Sequence, residues 1–380
     1  MRIAITTWHT GVNPGTFFQC YGLYDYLRQR GHEVRIIDYR HQPQDLLFKG
    51  VRYYLTQLVP LVKRKIARHR ASNEEKQDIL PYLREIEERE LQCASMWKWM
   101  TYTPPVETQA DFEALNSQFD AFVVGSDQVW NATMLNRRYL LDYVSAGKLK
   151  VAYGPSGGVG QVLPYQRQMY RCYVRSFDAV AVREKLLCDI LNEELPELHA
   201  RHMLDPSMLI DRGKYVAMAE LPHELEGERY LLCYFAPNEP REEAMIRRYA
   251  TERGLKLVVM AMFGYSWKIK ADHTYCASPA QFIGLILHAE AVFTSSFHCT
   301  IFSILFHRDL FVLERERKYK SGDINQRYME QLVTYQMEHR FIPYGSELTE
   351  EILRPIDHER VELIFQQRLK DSKAFLNNLF

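Results

Sequence analysis

Apolar residues collect in short uninterrupted runs that alternate with longer stretches where they recur every three or four positions, the pattern of strands alternating with amphipathic helices. Arg2 to Thr7 is the first such run, followed by a polar loop with Asn13-Pro14-Gly15 and a helical pattern from near Phe17 that sets Leu23, Tyr26 and Leu27 on one face. Gly31 stops that helix and Val34 to Ile37 supplies the next strand. The resulting βαβ unit implies a parallel sheet, with ligands expected at the carboxyl ends of its strands.

The alternation breaks between about residues 44 and 110, where helical runs around Leu46 to Ile66 and Lys76 to Trp97 predict an inserted helical segment. Its basic cluster, Lys63, Arg64, Lys65, Arg68 and Arg70, is either a solvated face, the commoner case, or a surface for peripheral contact with a membrane or an anionic partner through a helix over 46–70. Strands then follow at Phe119 to Val124, Lys150 to Tyr153, Ala179 to Val182 and His202 to Leu204, with a helix from about Pro164 to Ser176. A first domain over 1–220 ends at the polar stretch Leu221 to Arg229. A second α/β series over 221–346 contains strands at Tyr230 to Phe235, Leu257 to Met262 and Leu310 to Leu313, and a helix near Arg241 to Arg253. The tail over 347–380 is helical and is expected to cross back to the first domain.

The segment from Ala291 to Leu313 is the most informative, since an apolar strand runs through Thr294-Ser295-Ser296 into an apolar helix with His298 in its first turn. Free amides and the positive end of the helix dipole favour an anion there, which an imidazole can bind or protonate; a capping or core histidine is the plainer alternative. Gly125-Ser126-Asp127-Gln128 offers amide donors and one carboxylate, read either as a general base or as an Asx-turn, and Trp130 either stacks on a sugar or belongs to the core. Tyr153-Gly154-Pro155-Ser156-Gly157-Gly158 lets backbone approach a ligand but lacks the spacings of nucleotide-binding loops. Arg183 opens a helix after a strand, placed either to grip a carboxylate or phosphate or to pair with Glu184. Arg315, Arg317, Lys318, Lys320 and Arg327 follow the last strand and offer a cationic wall.

Composition narrows the classes of function. Lys plus Arg equals Asp plus Glu at 48 each in 380 residues, so no global field favours nucleic acid. Cysteines at 20, 93, 172, 188, 233, 276 and 299 include no Cys-x-x-Cys pair, and the N-terminus reads as a strand, not a leader; both predict a cytoplasmic protein. No run is long enough to span a membrane. No metal-ligand spacing is present, and the adjacent Cys299 and His298 diverge by about 100° on a helix, which argues against a Cys-His pair.

Together these residues resemble the polysaccharide pyruvyl transferase family over most of the chain. The resemblance rests on Asn13-x-Gly15-x-x-x-Gln19, Gly31-His32-Glu33-Val34 to Asp38-Tyr39-Arg40, Gly125-Ser126-Asp127-Gln128-Val129-Trp130-Asn131, Val182-Arg183-Glu184, Leu204-Asp205-Pro206 and Ser296-Phe297-His298. It implies two Rossmann-like domains facing a cleft, like the B-type glycosyltransferase fold. It also implies transfer of pyruvate from phosphoenolpyruvate to two hydroxyls of a sugar or lipid-linked oligosaccharide, without metal or cofactor, in cell-surface polysaccharide biosynthesis. On this resemblance His298 and Asp127 are catalytic, while Arg183, His298, Ser296 and Arg327 bind the donor. Asn13, Gly15, Gln19, Gln128 and Trp130 then line the acceptor side. The usual Thr-Asp-Ser-Phe-His-Gly is altered to Thr294-Ser295-Ser296-Phe297-His298-Cys299, losing a carboxylate and a glycine, and Pro14 stands where tyrosine is common. A glycosyltransferase using a nucleotide sugar, and a non-catalytic carbohydrate-binding member, are the competing expectations.

Overall fold

The computed structural model describes residues 1–47, 80–131, 133–158, 160–262, 264–315 and 325–380. Two six-stranded sheets, each wholly parallel, carry the fold. The first contains β1 (Arg2–Thr6), β2 (Glu33–Ile36), β3 (Ala121–Val124), β4 (Leu149–Tyr153), β5 (Ala179–Val182) and β6 (Arg201–His202), in the order β2-β1-β3-β4-β5-β6. The second contains β7 (Tyr230–Tyr234), β8 (Lys256–Met260), β9 (His273–Tyr275), β10 (Ala291–Thr294), β11 (Asp309–Leu313) and β12 (Phe341–Ile342), in the order β12-β11-β10-β7-β8-β9. Helices cover both faces of such sheets, so central strands are buried on both sides and read as uninterrupted apolar runs; all of β3, β5, β7 and β10 is buried.

Each sheet changes direction of growth once. The first does so between β1 and β3, the second between β7 and β10, where the chain order reads as the doubly wound 3-2-1-4-5-6 pattern. Loops leaving neighbouring strands diverge at such a switch point and open a crevice. The helices after β1 and β10 are α1 (Pro14–Gln29), capped by Asn13 with Pro14 in its first turn, and, numbered in chain order among the described helices, α9 (Phe297–Leu305), capped by Ser296.

An apolar seam joins the halves. Phe18 of α1 packs edge-on against Phe302 of α9 and stacks on Phe282 of α8 (Pro279–His288), and Tyr215 of α6 (Arg212–Met218) meets Phe302. Polar contacts add to it: the amides of Lys185 and Leu186, opening α5 (Lys185–Glu194), donate to the carboxylate of Glu330 on α10 (Gln326–Thr334). The last helix, α12 (His358–Asn377), lies on the first domain, where Tyr26 donates to Asn377 Oδ1 and the Leu204 amide donates to Ser372 Oγ.

Within the insertion, α2 (Leu83–Trp97) runs beside the β1–α1 loop, and Trp97 Nε1 donates to the Gly11 carbonyl. Leu46 does not open a helix as its pattern suggests. It is bridged to Asn136 in extended backbone, after a turn fixed by Pro43. The remainder of the predicted run to Ile66, the basic cluster at 63–70 and residues 317–320 lie outside the described residues. No described helix is long and apolar enough to cross a membrane.

Candidate functional site

The loops after β1, β3, β4, β5 and β6 converge with those after β10 and β11, so the carboxyl ends of both sheets face one locus. At its centre Arg183, immediately after β5, is 1% exposed. Its Nη1 donates to Asp205 Oδ2 at 2.8 Å, its Nε donates to Glu184 Oε1 at 3.2 Å, and its Nη2 lies 3.8 Å from Asp127 Oδ1. The guanidinium lies over the Phe297 ring at 4.4 Å, a contact across the domain seam. Burial works against its charge, but Glu184, Asp205 and Asp127 outweigh it and raise the pKa. Burial alone would likewise raise the Asp205 carboxyl; the charges of His298 and Arg183, with hydrogen bonds from Ser207, bring it below its ordinary value. Arg183 is thus already engaged by carboxylates and organises them.

His298 reaches this cluster from the other domain, its Nε2 3.8 Å from Asp205 Oδ2. That nitrogen is buried and has no hydrogen-bond partner among the described residues. Burial is the main cause that lowers the imidazole pKa to about 4, and Arg183 and Arg327 lower it further against the pull of Asp205 and Asp127. The imidazole is therefore neutral near pH 7 when no anion is bound. Its other edge lies on Gly15: a methyl group at residue 15 would stand 2.1 Å from His298 Nδ1 and 2.3 Å from Cγ. Only glycine admits the ring.

Asp127 sits after β3 with φ of 65° and ψ of −176°, a region almost confined to glycine that another residue adopts at a cost and that clusters at functional sites. Its Oδ2 accepts from Thr16 Oγ1 at 2.9 Å and its Oδ1 from the Gln128 amide at 2.8 Å. Next to it, Ser126 Oγ donates to the Gly154 carbonyl at 2.6 Å and lies 3.3 Å from Asp205 Oδ2. The glycine-rich turn joins the same network, since the Gly157 amide donates to Glu184 Oε2 at 3.0 Å.

Two further arginines stand at the second domain's edge. Arg327 in the first turn of α10 has a buried Nε without a partner among the described residues, while part of its side chain reaches solvent; burial and the charge of Arg183 lower its pKa. Arg315 Nε donates at 3.0 Å to Ser295 Oγ, which itself donates to the Phe235 carbonyl. The position that lacks the family's carboxylate is thus filled by a hydroxyl that receives an arginine. Ser296 Oγ is spent on the α9 cap, accepting from the Cys299 amide. Cys299 is sealed in the core, where burial pushes its thiol up to about 12.

A cavity of about 410 Å³ opens at the ends of β1 and β2, between Trp8, Thr16, Tyr39, Arg40, His41 and Tyr139. Thr16 connects its wall to Asp127. The structure therefore brings together His298, Asp127, Arg183 and Arg327, and corrects several acceptor-side expectations. Trp130 is wholly buried, donates from Nε1 to the Tyr139 carbonyl and meets Phe177 edge-on, so it presents no face to a sugar. Gln19 is also wholly buried; its amide nitrogen donates to the Trp8 and Thr16 carbonyls and its oxygen accepts from the Ser126 amide. It fastens the first loop to the loop after β3. Gly15 is covered by His298, Asn13 is the exposed cap of α1, and Gln128 Oε1 accepts from Asn131. Asp205 and Thr16 had no assigned role in the sequence. Asp205 stands in the Leu204-Asp205-Pro206 motif of the family resemblance but carries no role there, and Thr16 has no signal in the sequence.

Comparison with solved structures agrees with the topology. A UDP-GlcNAc 2-epimerase from Methanocaldococcus jannaschii is similar over 100% of this chain and 99% of its own, at 10% identity and a TM-score of 0.50. The glycosyltransferase SnogD from Streptomyces nogalater covers 100% and 99% at 14% identity and a TM-score of 0.48. At such an identity the likeness to the epimerase is one of fold alone: α/β, with two Rossmann-like domains. Comparison with curated proteins finds no match. The model of one family matches residues 13–317, most of the chain, with Asp127, Arg183, Asp205 and His298 inside the match, and on that ground the protein belongs to the polysaccharide pyruvyl transferase family.

Proposed function

We propose that the protein transfers the pyruvyl group of phosphoenolpyruvate to two hydroxyls of a sugar, forming a cyclic ketal and releasing phosphate. The observation that carries this reading is the buried, partnerless Nε2 of His298, presented by a helix N-terminus beside Asp127 and Arg327. Arg327 and the first amides of α9 hold the donor's negative charge. An anion bound there offsets the causes that depress the His298 pKa and draws a proton onto the imidazole. His298 then protonates the methylene carbon of the enol, leaving an oxocarbenium-like carbon. Asp127, oriented by Thr16, takes the proton of the attacking sugar hydroxyl; loss of phosphate and closure by the second hydroxyl complete the ketal. Arg183 acts as a positioning residue that fixes the carboxylates of Asp127, Glu184 and Asp205.

The test follows phosphate release from phosphoenolpyruvate in the presence of a panel of sugars, with mass spectrometry of the product for the added pyruvyl group. Turnover that disappears in His298→Gln is expected. Absence of turnover with every sugar, together with no phosphoenolpyruvate binding by calorimetry, would sink the reading.

A further inference from the structure

The cavity at the ends of β1 and β2 has a lining of one chemical kind. Aromatic walls come from Trp8, Tyr39 and Tyr139, cationic and N–H groups from Arg40 and His41, with His9, Thr10 and Thr16 between them, and among the described residues none that lines it carries a carboxylate. Of the acidic groups nearby, Asp45 and Asp127 are buried and Asp38 is partly exposed, and each has a partner. Asp38 Oδ1 is 3.1 Å from His9 Nε2, Asp45 Oδ2 accepts from the Tyr39 hydroxyl at 2.8 Å, and Asp127 Oδ2 accepts from Thr16. His41 Nδ1 accepts from Asn136 Nδ2, which leaves the ring proton on Nε2, and the imidazole lies parallel to the Tyr139 ring. Arg40 is exposed and makes no ion pair among the described residues.

A sugar hydroxyl both donates and accepts, so a site built for a neutral sugar pairs N–H donors with acceptors such as carboxylates. This cavity is weighted the other way: an arginine and an imidazole N–H beside apolar ring faces, with no lining carboxylate among the described residues. Its volume exceeds that of one hexose, and its Thr16 wall leads directly to the Asp127 carboxylate. We infer that the cavity binds the acceptor as an acidic sugar, the ring against Trp8 and a carboxylate or phosphoryl group against Arg40 and His41. A hydroxyl of this sugar, or of the unit next to it, then comes within reach of Asp127. This inference rests on the pyruvyl-transfer reading for its use of Asp127, whereas the charge preference of the cavity stands without it.

Calorimetry on the full chain, with phosphoenolpyruvate present to occupy the donor side, compares glucuronate, glucose 1-phosphate and glucose. At least one acidic sugar is expected to bind about tenfold or more tightly than glucose. The Arg40→Gln variant should lose that margin and Trp8→Ala should weaken all binding, with the melting temperature and phosphoenolpyruvate affinity as controls for fold. Preference for the uronate or for the phosphate identifies the anionic group. Equal binding of glucose and both acids, no binding of any of the three, or an undiminished margin in Arg40→Gln would overturn the inference. If phosphoenolpyruvate fails to bind the unaltered protein, the donor reading falls, and the ranking of the three sugars still decides the chemistry of the cavity.

Discussion

Replacing Gly15 by alanine tests the site's central contact. The added methyl would lie 2.1 Å, 2.3 Å and 2.8 Å from His298 Nδ1, Cγ and Cβ, where ordinary carbon contacts begin near ~3.5 Å. More than ~1 Å of displacement is required, and because both atoms sit on the first turns of packed helices it must come from the domain seam or from the imidazole. Overpacking of this kind costs about 1–3 kcal/mol. A shift of ~1 Å in a proton-transferring group costs about 10²-fold in rate. Gly15→Ala should therefore lower kcat for phosphate release about a hundredfold, with a smaller fall in melting temperature. A double-mutant cycle with His298→Gly, which removes all three opposing atoms, isolates the clash: in that background Gly15→Ala should cost almost nothing in stability. A kcat within threefold of the unaltered protein, or the same stability loss in both backgrounds, would refute the contact.

Other outcomes follow from the same geometry. His298 is depressed from an unfolded value near ~6.5 to about 4, so between those values the unfolded chain binds the proton and the folded one does not. Its contribution to stability, about 3 kcal/mol, is present above ~6.5 and is lost as pH falls toward 4; unfolding curves should show a shallower acid limb in His298→Gln. His202, also lowered to about 4 chiefly by burial, titrates in the same window and makes that subtraction necessary. Arg183→Gln removes the countercharge from buried carboxylates and should destabilise the fold by about 3–5 kcal/mol in denaturant titration, whereas an uncoupled surface arginine would cost almost nothing. Asp127→Asn keeps the shape of the side chain at that backbone position and should fold normally while kcat drops by about 10²-fold or more, measured by phosphate release.

The fold was legible where burial is symmetric. Central parallel strands such as Ala179–Val182 are covered on both faces, so their apolar runs mark them almost to the residue, whereas the half-exposed edge strand His273–Tyr275 carries no such run and was not anticipated. Turn chemistry placed His298 correctly in a first helical turn behind a serine cap. Side-chain direction within the loops was another matter. Nothing around Trp130 shows that its ring turns inward to a carbonyl at Tyr139, and nothing local to Gln19 shows that it binds the loop after β3, more than a hundred residues on. Arg183 reads in the sequence either as a grip on an anion or as a partner of Glu184; the Glu184 bond is local, whereas the bond to Asp205 becomes visible only when β5 and β6 pair.

The absence of a side chain at residue 15 also limits how such proteins can be recombined. Two-domain folds with short linkers invite exchange of halves, a ready route to joining one donor chemistry with many acceptors. Here the histidine of one half is seated on the bare backbone of the other, so a first domain with any larger residue at that position would dislodge it even if both halves folded well. Within this architecture the cavity at the ends of β1 and β2 is free to diverge, while the residue at 15 must be inherited together with the histidine it faces.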